Sequence, residues 1–467
     1  MQKPNKLQKN DTLNSKGYQL KLPLNLECII SEDDSVRLLS QFVEEMDLSD
    51  LYSTYDRIRG NQAMPRQLLK IVLYSYMNRI FSSRKTESAC KRDINFMYLL
   101  EGAPAPDHAT IARFRTLHFS LCSEQILAEV TEYLYSIGEI SGENIFIDGT
   151  KIEANANRYT FVWKKAVTKN LLKLLDKAAA FVESCEELYG LSVTFRKQVQ
   201  VRTLKKLRKK LYAVKLSENI EFVHGRGKRK TQLQRDMEQL EEYLKKLKEY
   251  TVKLHKCGNR NSYSKTDEDA TFMRMKEDHM LNGQLKPAYN VQHGVDSEYI
   301  VWLTAEDKTT DTNTLIPFIK SMENVLRFQY RNIVADAGYE SEENYVFLDR
   351  NNQLAFIKPS NYEISKKRKY KNDISRMENM EYSVEDDCYT CKNGRKLSFE
   401  KNITRKTKSG YRSEKSIYRC EDCSNCKYKK DCIKGNHSKT PFEERVKVLE
   451  TSKLFNACRK ETLERTA

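Results

Sequence analysis

Apolar residues recur at spacings of three and four from Asp33 to Gly102, the pattern of helices that each bury one face. Pro65 marks a helix start, and Leu68, Leu69, Val72, Leu73, Tyr76, Met77 and Ile80 follow as one stripe, leaving Arg66, Lys70 and Arg79 outside. A second helix is predicted over Thr86 to Leu99. The run Glu101-Gly102-Ala103-Pro104-Ala105-Pro106 breaks it, and Asp107 is placed to cap a third helix that continues through Phe119 and displays Arg113 and Arg115.

The period changes after Asn144. Ile145-Phe146-Ile147-Asp148-Gly149-Thr150 and Ile333-Val334-Ala335-Asp336-Ala337-Gly338-Tyr339 each read as a short buried strand ending in one aspartate followed by small residues. Between them, Val162 to Tyr250 is helical and highly charged. A helix over Asn170 to Leu188 and the heptad-like series Leu233, Met237, Leu240, Leu244, Leu247 and Leu254 predict a long antiparallel helical hairpin. Strands resume with Ala288 to His293, a turn at Gly294 to Ser297, and Tyr299 to Leu303. A helix from Asp311 to about Phe328, a strand to Asp336, a helix from Glu342 to Asp349 and a strand from Leu354 to Ile357 complete the series. The order strand, insertion, hairpin, helix, strand, helix, strand predicts an α/β fold (α+β over the whole chain) built on a ribonuclease-H-like mixed sheet. In that sheet the first and fourth strands are neighbours, which would bring Asp148 and Asp336 side by side.

Charge narrows the class of partner. The 467 residues carry 81 Lys+Arg against 65 Asp+Glu, a net charge of +16, and the pI is near 9.1. Nucleic acid is the commonest polyanion for such a chain. Arg66, Lys70, Arg113 and Arg115 on the N-terminal helices are candidate DNA contacts of a helix-turn-helix type reader. The basic turn with Arg226, Lys228 and Arg229 makes the helical hairpin either a solvated arm or a clamp on the DNA backbone. The stretch to Gly17 is polar, with no signal-peptide core, and nothing approaches the roughly 18 apolar residues of a membrane span. A soluble, cytoplasmic protein without a membrane partner is expected.

The candidate chemistry lies in acids and thiols. Two carboxylates plus a substrate phosphate are a usual setting for Mg2+ or Mn2+, and paired ions support in-line displacement at phosphorus. Of 12 cysteines, Cys388 and Cys391 form one CxxC pair, Cys420 and Cys423 a second, and Cys426 and Cys432 follow. Such spacing predicts a structural zinc site on Cys388, Cys391, Cys420 and Cys423, with Cys426 and Cys432 able to replace a pair. The expected organisation is a disordered tail over 1–17, a helical DNA-binding domain over 18–125 and a catalytic core over 140–360 with its insertion at 160–262. A basic, Cys-rich, zinc-ribbon-like region follows over 361–467.

Taken in order, several segments resemble the DDE transposases of bacterial insertion sequences. They include Gly17-Tyr18-Gln19-Leu20, Pro106-Asp107-His108-Ala109-Thr110-Ile111-Ala112-Arg113-Phe114-Arg115, Phe146-Ile147-Asp148-Gly149-Thr150, Asp267-Glu268-Asp269-Ala270, Tyr289-Asn290-Val291-Gln292, Ala335-Asp336-Ala337-Gly338-Tyr339 and Tyr418-Arg419-Cys420-Glu421-Asp422-Cys423. The resemblance implies binding to terminal inverted repeats and target DNA, metal-dependent cleavage and strand transfer, a homodimer on DNA, and a nucleoid-associated location. It carries the catalytic aspartates onto Asp148 and Asp336. Asp267 and Asp269 are expected either to orient the insertion or to approach the metal. The family's third acid, a glutamate in a pattern of Arg, Glu, Phe-Gly and Lys, has no match after Ile357; Glu461 and Glu464 read only as the approach to that helix. The chain is therefore expected to be truncated and impaired, the alternative being a non-catalytic derivative that occupies transposon ends.

Overall fold

A computed structural model describes residues 26–58, 60–194, 198–225, 227–275, 283–435 and 440–466. The expected tail over 1–17 and the candidate contact Arg226 lie outside the described residues. The chain divides into two compact units, one ending at Leu134 and the other beginning at Tyr135.

The first unit is helical. Its main elements are α1 (Ser35–Glu45), α2 (Pro65–Met77), α3 (Ser83–Arg92), α4 (Ile94–Leu100), α5 (His108–Arg113) and α6 (Ser120–Ser136). Asp93 divides the predicted second helix in two by accepting the Asn95 N–H at 2.9 Å as the cap of α4. Asp107 caps α5 as expected, accepting from Thr110 at 2.6 Å. Leu68, Leu69, Ile71 and Val72 of α2 pack with Val36, Leu39, Phe96, Leu99 and Phe114 in one core.

In the second unit, six strands among the described residues form a mixed sheet. β1 (Asn144–Glu153) is central, with β5 (Leu285–Asp296) antiparallel on one side and β7 (Asn332–Ala335), then β8 (Leu354–Ile357), parallel on the other. The outer flank of β5 pairs with β4 (Thr271–Arg274) along its first half and β6 (Tyr299–Glu306) along its second. Helix α10 (Leu315–Glu323) packs on the sheet so closely that a methyl group at Gly294 would lie 2.9 Å from Phe318 and 2.6 Å from Ile145. Helix α11 (Glu342–Arg350) joins β7 to β8. The fold class is the one the pattern predicts.

Among its described residues the insertion has three helices rather than two: α7 (Lys164–Tyr189), α8 (Val201–Ser217) and α9 (Gln232–Cys257). α8 is so basic that it reads as solvated, yet Leu204, Leu207 and Leu211 bury against Val182, Leu240 and Leu244. A short ribbon of β2 (Phe161–Trp163) with β3 (Ser262–Ser264) ties the two ends of the insertion together.

After β8 a five-stranded antiparallel sheet forms from β9 (Glu381–Ser383), β10 (Cys388–Thr390), β11 (Lys396–Lys406), β12 (Arg412–Cys420) and β13 (Val448–Thr451), followed by α12 (Lys453–Thr466). Among the described residues, no helix is long and apolar enough to cross a membrane.

Candidate active site

β1 alternates: Ile145, Ile147 and Gly149 are buried while Phe146, Asp148 and Thr150 are exposed. Its parallel partner β7 aligns Ile145 with Ile333 and Ile147 with Ala335. One step further along each chain stand Asp148 and Asp336, so the register sets the two aspartates at adjacent positions. Asp148 Oδ1 accepts the N–H of Gly149 at 2.8 Å. Asp336 Oδ1 accepts the N–H of Gly338, also at 2.8 Å, which caps the turn Ala337–Tyr339. Each carboxylate is thus held through one oxygen by a backbone donor one or two residues on.

A third carboxylate approaches the same place. A methyl group at Gly338 would lie 2.9 Å from Asp336 Oδ1 and 3.4 Å from Asp311 Oδ2. A methyl at Gly149 would lie 2.8 Å from Asp311 Oδ1 and 2.6 Å from Gln292 Nε2. Only glycine leaves room for this convergence. Asp311 Oδ1 accepts from Asn290 Nδ2 at 2.8 Å and from Gln292 Nε2 at 3.4 Å. Both amides are fully buried. Gln292 Oε1 in turn accepts the hydroxyl of buried Tyr339. Burial, and then the negative charges of Asp311, Asp148 and Asp336, push that phenol far above its ordinary range. Thr312 Oγ donates to the Gly338 carbonyl at 2.9 Å, and Asn344 Nδ2 donates to the Tyr339 carbonyl at 2.7 Å. The turn behind Asp336 therefore rests on a buried polar network.

Sequence reasoning missed Asp311 and assigned no role to Asn290 or Gln292. The available signal was two amides on alternate positions of an otherwise apolar strand, because buried amides need partners.

Other expected site residues fall elsewhere. Asp267 accepts the Tyr289 hydroxyl through both oxygens at 2.9 Å, tying the segment after the insertion to β5. Lys70 is not outside: its side chain is fully buried, with Nζ 2.5 Å from Glu44, 2.8 Å from Glu101 and 3.0 Å from Ser40 Oγ. Arg66 pairs with the same two glutamates at 2.6 and 3.2 Å. These two cations hold α1, α2 and the end of α4 together, and the buried Lys70 is corrected from an outward-facing DNA contact to a structural ion pair. Arg115 lies over the Tyr76 ring at 5.3 Å and donates to the Phe81 carbonyl. Arg113, Lys228 and Arg229 are exposed. Glu461 and Glu464 lie within α12 and pair at the surface with Arg465 and Lys460.

Of the four favoured zinc ligands, Cys391, Cys420 and Cys423 lie in one cluster, with Cys423 hydrogen-bonded to Cys420, whereas Cys388 stands apart from it. Among the described residues, no three His, Cys, Asp or Glu side chains stand close enough to share one ion. Cys388 lies inside β10 opposite Ser398, the Cys420 thiol donates to the Asp422 carbonyl at 3.3 Å, and Cys423 accepts the Lys447 N–H at 3.3 Å. The sheet, with its own hydrogen bonds, organises this region.

Residues 24–117 match a transposase domain (DUF772), and residues 260–428 match the transposase DDE domain. The chain belongs to the DDE transposases. Asp311 and Asp336 lie within the second matched segment, whereas Asp148 precedes it. Comparison with curated proteins and with solved structures returned no match. Transposases of this family cut DNA and transfer strands, and of the two aspartates Asp336 falls within the matched enzyme domain.

Proposed function

We propose that this transposase cleaves DNA at the ends of its element and transfers the freed strand to a target, using Asp148 and Asp336 to hold divalent metal. The observation that carries this reading is the register of β1 and β7, which aligns the two carboxylates without any rearrangement of the sheet. The donor set fits Mg2+ or Mn2+. Both residues offer hard oxygen, and two carboxylates with water and a substrate phosphate satisfy such an ion without a closed protein cage. The glycines at 149 and 338 leave the room into which Asp311, Gln292 and Asp336 project. Bound by the two aspartates, the metal would lower the pKa of an attacking hydroxyl and stabilise the leaving oxygen.

The protein's own part is to hold Asp148 and Asp336 through backbone donors and to brace the Asp336 turn through Asp311, Asn290 and Gln292. DNA is held chiefly through phosphates, as the net charge of +16 favours. On the first unit, α3 supports this role best, because Arg84, Lys85, Lys91 and Arg92 are all exposed.

The test is nicking of a duplex carrying the element's terminal repeat, in Mg2+ or Mn2+, by the full chain beside Asp148→Asn and Asp336→Asn. The expected result is metal-dependent nicking that falls by at least about a hundredfold in either variant, a loss typical of removing a group that acts directly in catalysis. Equal nicking by all three proteins would reject the assignment.

A further inference from the structure

The cationic surface of the insertion is concentrated on one helix. α8 has seven basic residues and no acidic one in its 17 positions. Helices α7 and α9 on either side mix both signs. On α8, Thr203, Leu204, Leu207 and Leu211 face the insertion core. Arg202, Lys205, Lys206 and Lys209 are exposed, and at 3.6 residues per turn they form one stripe on the side away from that core.

The flanking cations have structural work. Arg208 pairs with Glu241 at 3.0 Å, Lys210 donates to the Ser192 carbonyl, and Lys215 lies over the Phe222 ring at 4.4 Å. Arg202, Lys205, Lys206 and Lys209 have no ion-pair partner among the described residues. Arg202 and Lys206, like Lys205 and Lys209, are like-charge neighbours four apart, an arrangement that disfavours an isolated helix. A polyanion lying along the stripe would remove that repulsion.

Its dimensions suit a nucleic-acid strand. From residue 202 to 209 a helix rises about 10 Å, which matches about three phosphates of one strand at about 3.4 Å of duplex axis each. Three of the four cations are lysines, flexible point charges that contact phosphate without the planar fork used to read guanine.

We infer that α8 lays this ridge along the sugar-phosphate backbone of duplex DNA and holds it without regard to base sequence. The inference rests on the reading of DNA as the substrate, and it assigns the insertion a share in binding that substrate.

The test measures fluorescence anisotropy of a labelled random-sequence duplex across a range of NaCl, without divalent metal. It compares the full-length protein with the quadruple variant Arg202→Gln, Lys205→Gln, Lys206→Gln, Lys209→Gln. The expected outcome is affinity at least about tenfold weaker near 0.1 M salt. The plot of log affinity against log salt should also become shallower by about two to three, at about 0.9 per lost phosphate contact. The pair Lys205→Gln, Lys209→Gln should give about half that change, and both variants should keep the parent's circular dichroism and melting temperature. An unchanged salt slope in a folded variant overturns the inference, as does loss of polyglutamate binding with DNA binding intact, which would mark an acidic protein as the partner. A parent that binds but does not nick rejects the catalytic assignment and leaves the ridge standing, whereas normal nicking with an unchanged slope rejects only the ridge.

Discussion

At the scale of single residues, the site depends on groups that never touch solvent. Asp311 is fixed by two amides with no exposure, and its other oxygen lies beside Asp336 across the space that Gly338 leaves open. Asp311→Ala should therefore do more than remove one acid. It would leave the Asn290 amide without its acceptor, at about 1–3 kcal/mol for an unsatisfied buried group, while Gln292 Nε2 keeps Asn290 Oδ1 at 3.1 Å. A urea midpoint lower by the equivalent of about 1–3 kcal/mol is expected, together with reduced nicking because the Asp336 turn loses its brace. Equal stability of parent and variant would show that the network does not support the turn. Lys70 teaches the complementary lesson. A lysine beside an apolar helical stripe reads as exposed, but Glu44 and Glu101 arrive from distant parts of the chain and make its burial tolerable.

Among elements, α12 shows how one ion pair can anchor a helix. Arg459 meets Glu340 through two bonds of 2.6 and 2.7 Å, and the Glu340 side chain is 2 % exposed. Burial by itself would raise the Glu340 pKa, but the Arg459 guanidinium and the Ser360 N–H outweigh it and hold the carboxyl below its usual range. A depressed folded pKa means that the pair's stabilisation is fully present above the unfolded value, about 4.3. It is lost as pH falls through the folded pKa. Arg459→Met should cost about 3 kcal/mol near pH 7, because it leaves the buried Glu340 carboxylate without its cationic partner. The gap between parent and variant should narrow below about pH 4, measured by denaturant unfolding at several pH values. A gap independent of pH would show that the loss came from packing and not from charge.

For the molecule as a whole, three buried cysteines show how packing sets thiol reactivity. Burial pushes the thiols of Cys90, Cys185 and Cys420 up to about 12, with the neighbouring Cys423 adding to the shift at Cys420. Thiolate is the reactive form, so these three should alkylate slowly in the native protein. Iodoacetamide at pH 8, followed by peptide mass spectrometry, should find them modified at least about tenfold faster in denaturant, where thiols return to ordinary values near 8.5. Equal rates in both states would mean that the helices and strand holding them open readily.

The sequence by itself determined the helical character of the first unit, the strand order of the core and the adjacency of Asp148 and Asp336, because these follow from local hydrophobic period and from how strands of that order must pair. It also exposed the family, through short segments whose order along the chain is specific. Only the tertiary structure decided which charged residues are internal, that α8 closes the insertion as a third helix, and that Asp311 joins the two aspartates. Those outcomes depend on partners distant in sequence: Lys70 on Glu44, the α8 leucines on α7 and α9, Asp311 on amides of β5. The physical reason is that periodicity records which face of an element is apolar, whereas the burial of a polar group depends on what the rest of the chain brings to it.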